Sequence, residues 1–124
     1  MNTANRPRRV WIAESNLPVR QTLRIFLEER LSCLVVGESE TVDNLIEQIG
    51  SANPDLLLIA WDLLRWSSGC LIGDLRRQCP HMKVVCLGSR PGTAARAMAA
   101  GADAFASKAD HPLRLKAVIE AALS

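Results

Sequence analysis

Few side chains in this 124-residue sequence are spaced to do chemistry. The cysteines, Cys33, Cys70, Cys79 and Cys86, include no Cys-x-x-Cys pair. His81 follows Cys79 with only Pro80 between them, which is no zinc-ligand spacing, and no second pair accompanies it. His81 and His111 read as loop or cap residues. Cys33 and Cys86 stand in apolar runs and read as buried thiols in a reducing compartment. The stretch Gly88-Ser89-Arg90-Pro91-Gly92 is too weak a match to a phosphate-cradling glycine loop. What remains is a set of residues standing where short apolar runs end: Glu14, Ser15, Ala60, Gly88 and Lys108. Carboxylates hold hard cations such as Mg2+, and an ammonium or a hydroxyl binds oxyanions. Whether these groups act together depends on the elements that carry them.

Those elements alternate between two periods. Apolar runs of strand length cover residues 10–13, 34–36, 56–61, 83–87 and 104–106. Helical patterns lie between and after them. Val19, Leu23, Phe26 and Leu27 mark one face of a first helix; Val42, Leu45, Ile46 and Ile49 mark a second. Leu71, Ile72 and Leu75 mark a third, the Ala-rich stretch 93–100 a fourth, and Leu115, Val118, Ile119 and Ala122 a fifth. Thr41 is placed to cap the second helix, and Gly50, Asn53 and Pro54 to end it. Gly101 stops the Ala-rich helix, and Pro112 suits the first turn of the last one. Strands this apolar are covered on both faces, so a parallel sheet with helices on each side is expected. In such a doubly wound sheet, sites lie beyond the carboxyl ends of the strands, where the five residues above stand.

Composition limits the function classes. Nearly half the residues are apolar and the net charge is +2, an ordinary balance for one globular domain and too little to imply nucleic acid. Residues 1–6 read as a flexible N-terminus and 7–124 as the domain. Up to Asp62 the acids outnumber the bases; beyond it Arg65, Arg76, Arg77, Lys83, Arg90, Arg96, Lys108, Arg114 and Lys116 face only Asp74, Asp103, Asp110 and Glu120. That basic half reads as a solvated surface or as a face for an acidic partner. The sequence has neither a signal-peptide stretch nor a membrane-length apolar run, so a cytoplasmic location is expected.

The run Ala97-Met98-Ala99-Ala100-Gly101-Ala102-Asp103-Ala104-Phe105-Ala106-Ser107-Lys108, followed by Pro112, carries a resemblance. So do Val35-Val36-Gly37-Glu38 and Pro54-Asp55. In this order and spacing the chain resembles the receiver domain of two-component response regulators over nearly its whole length. The resemblance implies a flavodoxin-like three-layer α/β/α fold with strand order 2-1-3-4-5 and five flanking helices. In that family an aspartate ending the third strand is the nucleophile that takes a phosphoryl group. An acidic pair holds Mg2+, and a lysine and a hydroxyl bind the phosphoryl oxygens.

Carried over position by position, the site is degenerate. Counting six and five residues back from Arg20 puts the acidic pair at Glu14 and Ser15, so the second acid is a hydroxyl. The acceptor, six residues after Pro54, is Ala60. The switch hydroxyl at the end of the fourth strand is Gly88; the lysine is present as Lys108. Asp62, two residues beyond Ala60, is an alternative acceptor if the third strand runs on. The positions of Leu71, Ile72 and Leu75 fit the family without a gap only when Ala60 is the acceptor. The loop Leu63-Leu64-Arg65-Trp66-Ser67-Ser68 also departs from the family's Met-Pro pattern, and Trp66 reads there as an anchor packed on the domain or as an exposed contact.

The resemblance therefore implies a pseudo-receiver: no catalysis, no cofactor, weak or absent Mg2+ binding, and signalling by phosphorylation-independent protein contact. The implied partner is a histidine kinase, another response regulator or a second copy, met through the fourth helix, fifth strand and fifth helix, with Arg90, Arg96, Arg114 and Lys116 as the contact surface. Alternative readings are the regulatory part of a transcription factor whose DNA-binding domain is absent from this chain, a phosphoacceptor using Asp62, and a small-ligand binder at the strand-end crevice. No contact with nucleic acid or membrane is expected through this domain. Two geometric expectations follow. Lys108, lacking an acceptor carboxylate, should contact Glu14 directly or through water. The ring of Phe105 should lie inward, against the side-chain-free Gly88.

Overall fold

The structure, a computed structural model, describes residues 6–124, so the N-terminal flexibility expected for residues 1–6 falls outside the described residues except at Arg6. The elements run β1 (Arg9–Ala13), α1 (Leu17–Arg30), β2 (Leu34–Ser39), α2 (Leu45–Ala52), β3 (Leu56–Ala60), α3 (Trp61–Leu64), α4 (Leu71–Gln78), β4 (Lys83–Gly88), α5 (Ala94–Ala99), β5 (Ala104–Ser107) and α6 (Pro112–Leu123). A 3-10 turn over Pro91–Thr93 leads into α5. All strand pairs are parallel and the sheet order is β2-β1-β3-β4-β5.

Period-two alternation along the strands divides the core. Trp11, Ala13, Leu57, Ile59, Val84 and Cys86 pack with Leu45, Ile49, Leu71, Ile72, Leu75 and Ala97 from α2, α4 and α5. Val10, Ile12, Leu56, Leu58, Val85 and Leu87 pack on the opposite face with Leu23 and Leu27 of α1 and Ile119 of α6. The three layers follow directly: two helices cover one face, the others the second. Among the described residues no helix is long and apolar enough to cross a membrane.

Local chemistry sets the boundaries. Asn16 caps α1 by accepting the Val19 N–H at 3.0 Å. His111 caps α6 through Nδ1, which accepts the Leu113 N–H at 3.1 Å. The Asp103 carboxylate fastens the start of β5 to β4 by accepting the Val84 N–H at 2.8 Å. Thr41 does not cap α2: its hydroxyl accepts from Asp43, and the helix begins later, after Asn44 in a left-handed conformation (φ 59°). The extra helical turn α3 forms because Trp61 and Leu64, three apart, both bury on the core.

Gly37 shows why β2 needs a glycine. A Cβ there would stand 2.0 Å from Cζ3 of Trp11, whose ring crosses the strand and whose indole N–H donates to Ser39 Oγ at 2.6 Å. Gly37→Ala is expected to cost about 1–3 kcal/mol in urea unfolding by displacing that ring, as overpacked cores do. Gly69→Ala, with nothing within 4 Å of the added carbon, should unfold nearly as the parent does.

The thiols separate by burial. Burial pushes Cys86 up to about 12, with Lys108 drawing it the other way, and also raises Cys33 and Cys79. Cys79 donates to Asn53 Oδ1 at 3.0 Å, whereas Cys70 is exposed. A thiol reagent at neutral pH should therefore label Cys70 alone in the native protein, and all the cysteines only after unfolding; rapid native labelling of Cys86 would contradict this core.

Candidate functional site

The carboxyl ends of the strands bring Glu14, Ala60, Gly88 and Lys108 to one edge of the sheet. Glu14 follows β1 and is 3% exposed. One carboxylate oxygen accepts from Lys108 Nζ at 2.6 Å; the other accepts the Asn16 N–H at 3.0 Å. The expected Lys108–Glu14 contact is thus present and direct. It is long-range in a second sense, because β3 and β4 lie between β1 and β5. Three inter-strand steps amount to roughly 14 Å between the outer strand axes. The two long side chains meet beyond the intervening strand ends, where β3 ends in the small residue Ala60.

Arg20, used in the sequence only to count positions, is a structural member of the site. It is 6% exposed, donates to the Glu14 carbonyl at 2.6 Å and to Glu38 Oε1 at 3.0 Å. Arg24 donates to the other oxygen of Glu38 at 2.6 Å, and this hydrogen bond holds its guanidinium above the usual arginine range. The signal was legible: Arg20, Leu23 and Leu27 are the buried positions of α1, spaced as one stripe, while Val19 and Phe26 of the expected face are only half-buried.

Of the positions that the resemblance assigns to phosphorylation, Glu14 and Lys108 meet each other, and Ala60, Ser15 and Asp62 bring no further charged group to them. Ala60 is buried at the end of β3 and offers no oxygen from its side chain. Ser15 is exposed. The chain turns into α3 at Trp61, so the strand does not run on to Asp62; that side chain is 66% exposed and lies 3.5 Å from Arg65 Nε. With Glu14 committed to Lys108, no pair of carboxylates faces a common point. Among the described residues no group of three His, Cys, Asp or Glu is placed to hold a metal ion. These residues do not fit the Mg2+ that the fold family implies.

A different pocket occupies that edge. Trp61, Asp62, Arg65, Leu87, Gly88, Ser89, Arg90, Gly92, Thr93, Arg96 and Lys108 line a cleft of about 570 Å3. The Arg96 guanidinium lies 5.3 Å from the centre of the Trp61 ring, and that of Arg65 lies 4.9 Å from the centre of Trp66. Trp66 itself is 78% exposed, which matches the exposed alternative for that loop, and the tryptophan that anchors on the core is Trp61. The sequence reading missed Trp61 as a liner because its run of apolar residues looked like continuing strand.

The switch positions are as expected from Gly88. A Cβ on Gly88 would stand 2.9 Å from Phe105 Cε1 and Cζ and 2.8 Å from Thr93 Oγ1. The Phe105 ring therefore lies inward, in the space a larger residue at position 88 would need. The four basic residues expected to share a surface do not all do so. Arg90 and Arg96 border the cleft, Arg114 is exposed on α6, and Lys116 faces the groove between α1 and α6 beside Thr22 and Phe26. Four residues separate successive overlapping positions on a helix only approximately, and the two-residue step from Arg114 to Lys116 turns the side chain to the other flank.

No family model and no curated protein matches the chain. Solved structures do match its fold. A LuxR-family two-component response regulator from Aurantimonas sp. SI85-9A1 is 21% identical, with TM-score 0.82, over 95% of this chain and 86% of the other. A DNA-binding response regulator of the LuxR family from Staphylococcus aureus is 17% identical, with TM-score 0.80, over 94% and 99%. The response regulator domain of Thermotoga maritima CheB is 18% identical, with TM-score 0.78, over 95% and 97%. The fold is that of response-regulator receiver domains.

Lys108→Met would leave Glu14 buried without its cation, and a loss of roughly 3 kcal/mol in urea unfolding is expected. Adding Glu14→Gln to that variant should recover a large part of the loss, since neither charge then remains. A double variant as unstable as the two single losses added together would show that the pair contributes nothing as a pair.

Proposed function

We propose that the chain is a receiver-like signalling module of a two-component type pathway that acts by protein contact, without phosphorylation and without enzymatic activity. The observation that carries this reading is Ala60, a buried methyl group where an acceptor carboxylate would stand, with the nearby lysine already bonded to Glu14 at 2.6 Å. An acyl phosphate needs a carboxylate nucleophile, and Asp62 lies outside the strand end and beside Arg65. Mg2+ is expected to bind weakly or not at all, for lack of paired carboxylates.

The inward ring of Phe105 supports a single, permanent state of the α5–β5–α6 face. In receivers an aromatic at this position turns inward when the switch hydroxyl moves away; Gly88 leaves that space open at all times. We therefore assign the partner surface to Arg90, Arg96 and Arg114, facing an acidic surface of a histidine kinase, another response regulator or a second copy, in the cytoplasm. The resemblance in fold to LuxR-family regulators, one of them described as DNA-binding, favours a second reading: the regulatory part of a transcription factor.

Incubation with acetyl phosphate and Mg2+ should leave the intact mass unchanged. A stoichiometric phosphoryl adduct, lost in Asp62→Asn, would overturn the reading in favour of Asp62 as acceptor. Arg96→Glu and Arg114→Glu should each weaken self-association or capture of an identified kinase or regulator by about ten-fold, the effect of reversing one interface charge. Unchanged affinity in both would remove the face from consideration.

A further inference from the structure

The strand-end cleft has the wrong sign for a cation. Four cationic side chains, Arg65, Arg90, Arg96 and Lys108, line it against one carboxylate, Asp62. Among the described residues Arg90 and Arg96 make no ion pair, and Asp62 is engaged by Arg65. With a hydroxyl at Ser15, a methyl at Ala60 and arginines along the rim, the edge where the fold family would hold Mg2+ presents positive charge here. We propose that this cleft is a binding site for a small phosphate-bearing anion, held non-covalently and without a divalent metal.

Three features fit such a ligand. First, the guanidinium groups are pre-oriented. Arg96 lies over the Trp61 ring and Arg65 over Trp66, so less side-chain freedom is lost when an oxyanion is gripped, and guanidinium forks match phosphate oxygens. Second, the wall between them is low. Ser89 and Gly92 bring backbone and one small hydroxyl to the surface, so a ligand can approach the chain closely. Third, the cleft of about 570 Å3 lies within the range of small-molecule sites and exceeds the needs of a lone phosphate. Lys108 also lines it, with one N–H donating to Glu14 and two more N–H donors on the same ammonium. The shared chemistry is the phosphate group, free or as the tail of a nucleotide. The site shares Arg90 and Arg96 with the proposed partner surface and adds Arg65; titration with a small anion reads it separately from capture of a protein.

The test is calorimetric titration of the full chain with pyrophosphate in the presence of a chelator, and in parallel with inorganic phosphate, ATP and adenosine. Saturable one-site binding of pyrophosphate in the millimolar range or tighter is expected. Arg90→Gln and Arg96→Gln should each weaken it about ten-fold, the loss of one charge-assisted contact, while Arg114→Gln outside the cleft should leave it unchanged. ATP binding tighter than pyrophosphate identifies a nucleotide; equal affinities with no adenosine binding identify the phosphate group alone. Absence of saturation, equal weakening by Arg114→Gln, or binding that appears only with Mg2+ would overturn the proposal.

Discussion

Glu14 and Lys108 form the contact around which this sheet edge is organised. A carboxylate 3% exposed at the end of β1 must have a counter-charge, and none is available from the neighbouring strand, because β3 ends in Ala60. The counter-charge comes from beyond β5, across two intervening strand ends. Both carboxylate oxygens of Glu14 are engaged within the protein, one by Lys108 and the other by the Asn16 N–H, and its carbonyl accepts from Arg20.

The residues at this edge fit one another. An unpaired buried ammonium is costly, and Glu14 is long enough to reach Lys108. The space opened at Gly88 is taken by the Phe105 ring and the Thr93 hydroxyl, so no void remains at the end of β4. Glu38 extends the network away from the cleft by holding Arg20 and Arg24, which ties β2 to α1 behind the site.

The consequence at the surface is a change of sign. Among the described residues Arg90 and Arg96, on the β4–α5 side, make no ion pair, while Arg65 at the end of α3 is paired with Asp62. Trp61 is the element that orders them, since it closes the core beneath α3 and presents its ring to Arg96. A turn that buries Trp61 and Leu64 necessarily carries Asp62 outward, and so removes the one remaining carboxylate from the strand end.

Much of this was legible in the sequence, and for identifiable reasons. Period-two runs such as 83–87 and period-3.6 faces such as Leu71, Ile72 and Leu75 report burial directly, so the layers and the parallel sheet followed from them. The strand-end positions of Glu14, Ala60, Gly88 and Lys108 followed from where those runs stop, and the absence of a side chain at Gly88 foretold the place of Phe105. Local signals failed where tertiary contact outweighs propensity. Thr41 had the chemistry of a cap, but α2 starts where Leu45 meets the core; Trp61 looked like strand, but its burial with Leu64 winds a helical turn. Lys116 was misjudged because a helix face is defined by what packs against it, which sequence spacing alone does not contain. Residue identity by itself determined what the edge lacks: an acid at position 60, a second acid at 15, a hydroxyl at 88. Only the folded chain decided what the edge has instead, because bringing Arg65 beside Arg90 and Arg96 requires two segments that are distant in sequence and meet at the ends of the adjacent parallel strands β3 and β4.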